Sequence, residues 1–371
     1  MAKRVAKKSK NTLQFAAAVV VVLAAVLALL AFTFRDGISE QIAKMNAGPE
    51  AEEPWSFELG ASQVFAAAGN GLATASTTGL QLIDNKGYTV VRHVVSLETP
   101  AVAACSHFAV AYDIGGTALR LAYFDGEVKE LDAKDPIISV SVSEDGHLAV
   151  VTERTGYKGL VTVYDPEQEP VYEWYSGEGY PIGARVSPDG KRMAVITAAG
   201  EGGYVRVFSL ASEKELGTFQ APNELLFDLC WIGSDQICAI SEQRLVFVDH
   251  AGRLEGEYAF DGMYITNYSF GGDGFVALGL SKYLSGSASV VLTIGAGGDV
   301  LGQKTPDTEL KWLCAAGRNV LALYGDRAEL YSRTMGRQGY EEEVRGAKMA
   351  LLRANGDAVL IYATAIAIKS L

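Results

Sequence analysis

Residues 184–197 read ARVSPDGKRMAVIT, a short apolar run, a tight turn at Pro188-Asp189-Gly190 and a second run rich in Ala and Val. This hairpin pattern recurs at least seven times between residue 60 and the end of the chain. The clearest other copies are SVSVSEDGHLAVVT (139–152), DLCWIGSDQICAIS (228–241) and ALLRANGDAVLIYA (350–363), and weaker ones are FAAAGNGLATAST (65–77), NYSFGGDGFVALGL (267–280) and LCAAGRNVLALYG (313–325). Short strands repeated at a period of about 37–46 residues predict an all-β fold, a β-propeller.

Proline positions mark the boundaries of the repeat. Five prolines stand just before the first strand of a unit, namely Pro100, Pro136, Pro181, Pro222 and Pro306. Because proline has no backbone donor, it suits the connection between blades, where the hydrogen-bond ladder is interrupted. The resulting units are 61–99, 100–136, 137–181, 182–225, 226–263, 264–310, 311–346 and 347–371. The sequence therefore predicts eight blades, with seven as the alternative because the first two units are weak.

Within a unit, an apolar third strand follows the hairpin and a more polar fourth strand ends the blade. The last unit has room for only three strands. We expect the segment PWSFELG (54–60) to pair with residues 365–371, since this would close the ring and cover its exposed sheet edge.

The N-terminal segment predicts a membrane anchor. Residues 15–34, FAAAVVVVLAAVLALLAFTF, carry no charge, and a helix of this length spans a bilayer core of about 30 Å. Five basic residues precede it and no acidic one, so the positive-inside rule leaves the tail 1–14 in the cytoplasm and exports the rest. A cleaved signal peptide would have a shorter apolar region. We interpret 35–54 as a juxtamembrane linker and 55–371 as the exported propeller domain.

The net charge argues about the class of partner, and the cysteines raise the question of a disulfide. The formal net charge is −12, and setting aside the five basic residues of the tail leaves −17, which argues against nucleic acid as a partner. Cys230 and Cys238 flank a turn symmetrically, so a cross-strand disulfide is geometrically possible. The alternative is that both fill buried positions as small apolar side chains.

Catalytic and cofactor motifs are absent from the sequence. His93, His107, His147 and His250 fall in different units, and we interpret them as surface or turn residues. The Asp-Gly pairs lack the alternating oxygen ligands of a calcium loop and are turn residues. No Cys/His set has the spacing of metal ligands, and no glycine run has the spacing of a phosphate loop. We therefore expect no metal and no cofactor.

Loop length points to one face of the propeller. The connections between second and third strands are lengthened in units three, four and six. In a propeller these connections share a face with those between blades. This face is predicted to carry Tyr157, Lys158, Tyr180, Tyr204, Tyr264, Lys282 and Tyr283, with Trp312 near the channel mouth. Aromatic residues interleaved with charges suit a protein or glycan partner.

The stretch ARVSPDGKRMAVIT resembles the repeat of TolB-type and WD-like propellers, whose units often open with a Ser-Pro-Asp-Gly-Lys turn. The whole layout resembles single-pass membrane proteins of unknown function from clostridial-type Gram-positive bacteria, which have an exported propeller. This resemblance implies a fold and a location but no reaction. The repeat of quinoprotein dehydrogenases is not found, which argues against a quinone cofactor.

The sequence favours a membrane-anchored, extracytoplasmic module that binds an envelope protein or glycan. The alternative is an enzyme acting on a cell-wall or polysaccharide substrate, since propeller enzymes assemble their catalytic groups from several blades. Convergent carboxylates with a histidine at the channel mouth would favour the enzyme, and a tyrosine-rich rim would favour binding. A sensor is a third interpretation, disfavoured by the short tail.

Overall fold

The computed structural model describes residues 55–371, and in this range the regular structure consists of strands alone. The 31 strands of the described residues form eight antiparallel sheets, seven of four strands and one of three. The predicted eight-bladed β-propeller is confirmed, and the seven-bladed alternative is wrong. No helix in residues 55–371 is long and apolar enough to cross a membrane. The tail 1–14, the predicted anchor 15–34 and the linker 35–54 lie outside the described residues.

Each blade takes its strands from the chain in order. Blades 1 to 4 comprise β1 (Val64–Ala68), β2 (Gly71–Ser76), β3 (Gly79–Ile83), β4 (Thr89–Val94); β5 (Pro100–Ala104), β6 (Phe108–Asp113), β7 (Ala118–Tyr123), β8 (Val128–Asp132); β9 (Ile137–Val142), β10 (Leu148–Thr152), β11 (Gly159–Tyr164), β12 (Pro170–Ser176); β13 (Tyr180–Val186), β14 (Arg192–Ala199), β15 (Gly202–Ser209) and β16 (Glu215–Pro222). Blades 5 to 8 comprise β17 (Leu226–Ile232), β18 (Gln236–Ser241), β19 (Arg244–Asp249), β20 (Leu254–Ala259); β21 (Tyr264–Gly272), β22 (Phe275–Ser281), β23 (Val290–Gly295), β24 (Val300–Lys304); β25 (Leu310–Ala316), β26 (Asn319–Tyr324), β27 (Ala328–Ser332), β28 (Arg337–Glu341); β29 (Met349–Leu352), β30 (Ala358–Ile361) and β31 (Ile366–Lys369).

The core lies between neighbouring blades. First strands surround the axis, since they contact one another in ring order from β1 to β17 and from β21 through β29 back to β1. Every residue of β2 and β22 is buried, whereas β20 alternates between exposed and half-buried residues. Strands near the axis are covered on both faces, so apolar residues there need not alternate. The predicted order of apolar inner strands and a polar outer strand is confirmed.

The five prolines lie at blade boundaries, as predicted. Pro100 opens β5, and Pro136 and Pro306 precede β9 and β25. Pro222 ends β16, and Pro181 is the second residue of β13, at a shift in register. At each of these places the ladder can dispense with a backbone donor.

Side chains of the repeat hold the tight turns. Ser187 Oγ donates to Asp189 Oδ1 at 2.6 Å, and the Arg192 N–H donates to Ser187 Oγ at 3.0 Å. The Ser187 hydroxyl lowers the pKa of Asp189. Gly190 has a φ of 67°, a conformation that costs glycine little. The Asp-Gly pair here is a turn, as the sequence indicated.

Asp249 holds the turn between β19 and β20. Its carboxylate accepts hydrogen bonds from the N–H groups of Ala251 at 2.9 Å and Arg253 at 2.8 Å, and from Arg253 Nε at 2.7 Å. Burial pushes the pKa of Asp249 upward, but these bonds outweigh burial and hold it below the usual 3.8.

We expect Asp249→Asn to lower the free energy of unfolding at pH 7 by about 1 kcal/mol, because asparagine keeps an acceptor but loses the charge. Since the folded pKa is depressed, the wild-type advantage is present above the unfolded value of 3.8 and is lost as pH falls through the folded value. Urea unfolding at pH 7 and pH 3 measures this. Asp299→Asn, at an exposed position, is the control. A difference that does not change with pH would contradict the argument.

Glycines in the outer strands of blades 4 to 7 let each of these four blades approach the next. A Cβ added at any of them would lie 2.1 to 2.4 Å from backbone atoms of the following blade. The pairs are Gly217 with Ala251, Gly256 with Gly297, Gly302 with Thr334 and Gly339 with Leu371. Only a residue without a side chain permits this contact. The spacing of these glycines is a repeat signal that the hairpin pattern did not include.

The ring closes differently from the prediction. Residues 55–60 form no strand, and blade 8 keeps three strands. Instead, Trp55 and Phe57 pack with Ile366 and Ile368 into an apolar cluster between blades 8 and 1. The predicted pairing of 54–60 with 365–371 is therefore wrong. The segment bonds to blade 1, where Gln81 Nε2 donates to the Ser56 carbonyl at 3.2 Å.

Arg353, which is 5% exposed, joins blade 8 to blade 1. Its Nε donates to the Asn70 carbonyl at 2.6 Å and its Nη2 donates to the Asn85 carbonyl at 2.9 Å. The guanidinium lies 4.8 Å from the centre of the Trp55 ring and 3.4 Å from Asp357 Oδ2. Side-chain bonds thus replace the shared strand expected from the sequence.

Cys230 and Cys238 are directly opposite each other on β17 and β18, and both are buried free thiols. Burial and the neighbouring Cys230 raise the pKa of Cys238. Cys314 lies on β25, and Cys105 falls one residue beyond β5.

Candidate binding face

The connections between second and third strands lie on the same face as those between blades, because every blade is an antiparallel sheet in chain order. We call this the loop face, and the opposite one, with the turns between first and second strands, the turn face. Seven of the eight predicted residues lie in loop-face connections or at the strand ends beside them: Tyr157, Lys158, Tyr180, Tyr204, Tyr264, Lys282 and Tyr283. The eighth, Trp312, lies within β25.

Tyr157, Lys158 and Tyr180 come together at the boundary of blades 3 and 4. Lys158 Nζ lies 4.8 Å from the centre of the Tyr180 ring and donates to its hydroxyl at 3.3 Å. Tyr157 packs on Tyr175 with ring centres 5.0 Å apart. The guanidinium of Arg154 lies 5.7 Å from the Tyr175 ring. We call these five residues the tyrosine cluster.

The sequence did not identify Arg154 and Tyr175 as part of this surface. Tyr175 is on the polar fourth strand β12, where exposed residues alternate with half-buried ones. That alternation is the signal that could have found it. Arg154 is placed by Asp135, which accepts from its Nη1 at 2.9 Å.

Tyr204 is separate from the tyrosine cluster. It is the third residue of β15 in blade 4 and pairs with Gln220, whose Nε2 donates to its hydroxyl at 2.9 Å. The Arg206 guanidinium lies 5.6 Å from its ring. Tyr204 therefore belongs to the outer part of blade 4.

Tyr264 lines a cleft of about 630 Å³ between blades 5 and 6. Phe260, Met263 and Leu284 line it as well. Leu284 is 80% exposed and its neighbour Tyr283 is 73% exposed. Leu284 and Tyr283 both lie in the long connection between β22 and β23 of blade 6. They form a second apolar surface on the loop face, the face on which the sequence placed Tyr283.

Trp312 is half-buried and packs against the apolar cluster between blades 7 and 8. Its register partner is Leu323 on β26. The structure thus gives Trp312 a packing role.

A polar network links three first strands around the axis. Arg185 Nε donates to the Leu229 carbonyl at 2.6 Å, and Arg185 Nη2 lies 3.3 Å from Asp228 Oδ1. The Tyr268 hydroxyl donates to Asp228 Oδ2 at 3.1 Å. Burial and the Asp228 carboxylate raise the pKa of Tyr268. Blades 4, 5 and 6 are tied together by this network.

First strands bulge near the loop face in blades 3 to 7. The bulged residues, which have no register partner, are Ile138, Ile182, Phe227, Thr266 and Lys311. Bulges redirect side chains and are enriched beside functional sites. Here the bulged residues are apolar in blades 3 to 5 and polar in blades 6 and 7, so the two sides of the channel mouth differ.

On the turn face, His147 and His250 line one cleft of about 620 Å³. His147 Nδ1 lies 2.9 Å from Asp145 Oδ2. Arg192 also lines this cleft, and its Nη1 donates to Asp235 Oδ1 at 2.8 Å. The sequence could not associate these histidines, because they come from different units. Among residues 55–371, no group of three or more His, Cys, Asp or Glu side chains is arranged to hold a metal ion.

Comparison with known proteins gives a family and a fold. Residues 51–370 match a family described as a family of unknown function, DUF5711. The chain belongs to this family. The match spans the whole propeller of this DUF5711 protein. No curated protein matches the chain.

Solved structures similar to this DUF5711 protein are propellers at low sequence identity. The C-terminal WD40 domain of Sif2 has 12% identity and a TM-score of 0.62, covering 85% of this chain and 96% of that one. Sqt1 of Saccharomyces cerevisiae has 10% identity and a TM-score of 0.62, with 86% and 99% covered. BamB of Moraxella catarrhalis has 13% identity and a TM-score of 0.54, covering 84% of this chain and 97% of that one. The similarity to WD-like propellers is thereby confirmed at the level of the fold.

Proposed function

We propose that this DUF5711 protein is a membrane-anchored, extracytoplasmic propeller that binds an envelope protein or glycan through its loop face. The tyrosine cluster is the observation that carries the proposal. Tyr157 and Tyr180 are 53% and 58% exposed. The Lys158 ammonium lies over the Tyr180 ring, and the Arg154 guanidinium lies over the ring of Tyr175, on which Tyr157 packs. Such a group offers a partner both apolar area and charge.

The chemistry of the tyrosine cluster suits binding. Tyrosine has only two side-chain torsions to fix, so its large contact area comes at low entropic cost. Arginine and tyrosine are enriched among the residues that dominate interface energies. The contacts of Tyr157 with Tyr175 and of Lys158 with Tyr180 hold these side chains in place before a partner arrives. Preorganisation of this kind strengthens binding.

The anchor and the orientation rest on the sequence. Residues 15–34 are apolar over a bilayer-spanning length, and five basic residues precede them. This arrangement supports a cytoplasmic tail and an exported propeller.

The enzyme alternative calls for convergent carboxylates with a histidine at the channel mouth. Within residues 55–371, the first strands contribute one carboxylate, Asp228, and no histidine. Asp228 is already bonded to Arg185 and Tyr268. No specific observation therefore favours this alternative.

A cysteine placed beside the tyrosine cluster tests orientation and binding together. Gly177 is exposed and has open space around its Cα, so Gly177→Cys should be tolerated. The native Cys105, Cys230 and Cys238 are buried, and the half-buried Cys314 is replaced by serine in every variant. We expect a membrane-impermeant maleimide crosslinker to react with this variant in intact cells and to capture one reproducible envelope component. Adding Tyr157→Ala and Tyr180→Ala should reduce the crosslinked product at least fivefold (about 1 kcal/mol).

Glu213→Cys is the matched control, because residue 213 is exposed in a turn-face connection of blade 4. It should react with the maleimide equally and yield no such product. Failure of both cysteines to react in intact cells would refute the exported orientation. A product that is unchanged by the tyrosine substitutions would refute the binding site.

A further inference from the structure

A polar cavity of about 490 Å³ opens on the loop face where blades 6, 7 and 8 begin. Two of its residues, Thr266 and Lys311, are the polar bulged residues of β21 and β25. Ser285 and Ser287, from the long connection of blade 6, form a second wall, and Lys348 comes from the start of blade 8. Three blades and one extended loop thus supply its polar groups.

The cavity holds polar groups that the described protein leaves unused. Within residues 55–371 the ammonium groups of Lys311 and Lys348 have no ion-pair or hydrogen-bond partner, and neither do the hydroxyls of Ser285 and Ser287. Asn267 is half-buried, and its Nδ2 has one long bond, 3.5 Å, to the Lys311 carbonyl. Its Oδ1 is available to a ligand.

The charge balance of the cavity is opposite to that of the protein. Lys311 and Lys348 face one lining carboxylate, Glu309, so the lining is net positive. The chain as a whole has a formal net charge of −12. A local cationic cavity in an acidic protein attracts anions to that place and repels them elsewhere. The hydroxyl and amide groups beside the lysines match the hydroxyls of a sugar.

We propose that this cavity binds a saccharide bearing a carboxylate or phosphate group. The anionic group lies between Lys311 and Lys348, and sugar hydroxyls bond to Asn267, Ser285 and Ser287. The site contains none of the tyrosine cluster, and the proposal does not rest on the membrane anchor. The source is either an envelope polysaccharide or a free sugar acid, and the chain length of the probe distinguishes them.

Calorimetric titration of the full-length chain in detergent micelles tests the proposal. The probes are galacturonate, tetragalacturonate, glucose 6-phosphate, neutral lactose and inorganic phosphate. We expect an anionic sugar to bind, lactose not to bind, and the affinity to fall as salt rises. Lys311→Gln with Lys348→Gln should weaken binding at least tenfold, because charge-assisted bonds are lost. Tighter binding of tetragalacturonate than galacturonate identifies a polysaccharide, and equal binding identifies a free sugar acid.

Lys214→Gln is the matched control, an exposed lysine in a turn-face connection, and should bind like the wild type. The proposal is overturned if neither galacturonates nor glucose 6-phosphate bind, or if the double lysine variant binds them equally. If inorganic phosphate binds as tightly as the sugars, the cavity holds an adventitious ion only and the saccharide assignment is wrong.

Discussion

Arg353→Ala is expected to lower the free energy of unfolding by about 3 to 5 kcal/mol, one of the two largest effects we anticipate in this protein. The substitution leaves the carbonyls of Asn70 and Asn85 without their donor and removes the cation above Trp55. It also leaves Asp357 without its ion pair. Because blades 8 and 1 share no strand, no ladder hydrogen bonds compensate for this loss.

Chemical unfolding of the full-length chain, followed by circular dichroism, measures this effect. Arg345→Ala is the matched control, since Arg345 is exposed in the connection that leads into blade 8 and should cost less than about 0.5 kcal/mol. Arg353→Lys should fall between the two, because lysine keeps the charge but cannot reach two carbonyls with a planar fork. Equal unfolding energies for Arg353→Ala and Arg345→Ala would show that the apolar cluster alone closes the ring.

Glu329→Ala is expected to cost a similar 3 to 5 kcal/mol, about the range for breaking a buried ion pair. The Glu329 side chain is 3% exposed and accepts from Arg327 Nε at 3.0 Å and from the Tyr331 hydroxyl. Lys304 of the neighbouring blade lies 3.8 Å away and also 4.9 Å from the Tyr331 ring. Removing the carboxylate leaves these cations and a buried hydroxyl without their common acceptor.

Thermal and urea unfolding of Glu329→Ala test this prediction, with Glu98→Ala as the control because Glu98 is exposed. Glu329→Gln keeps an acceptor for Tyr331 and loses the charge, so its cost should be intermediate. A cost for Glu329→Ala below about 1 kcal/mol would mean that solvent reaches the cations and replaces the carboxylate.

The hairpin repeat predicted the blades well because each strand of a propeller is defined by local pattern. Tight turns such as Ser187 to Gly190 carry their own hydrogen-bond donors and acceptors, and the prolines mark places where the ladder stops. Contacts between blades are not local. Glu329, within the strand sequence AELYS, gives no sign in the sequence that a neighbouring blade buries it.

The candidate site was predicted in part. Loop length and residue type led to Tyr157, Lys158 and Tyr180, and the structure brings these three together. Tyr204 lies in the outer part of blade 4, where a hydrogen bond from Gln220 holds its hydroxyl, and Trp312 packs in blade 7. The cavity at Lys311 and Lys348 was not anticipated, because it depends on a bulge and on the approach of three blades.

The sequence by itself determined the class of fold, the number of blades and their boundaries. Those features follow from residue type and spacing within one unit, where hydrophobic period and turn chemistry act over a few residues. Only the tertiary structure decided how the ring closes and which polar side chains share a cavity. Arg353 and Asn70 are separated by most of the chain, and their contact depends on the curvature accumulated over eight blades. The residue pattern within one unit does not predict that curvature.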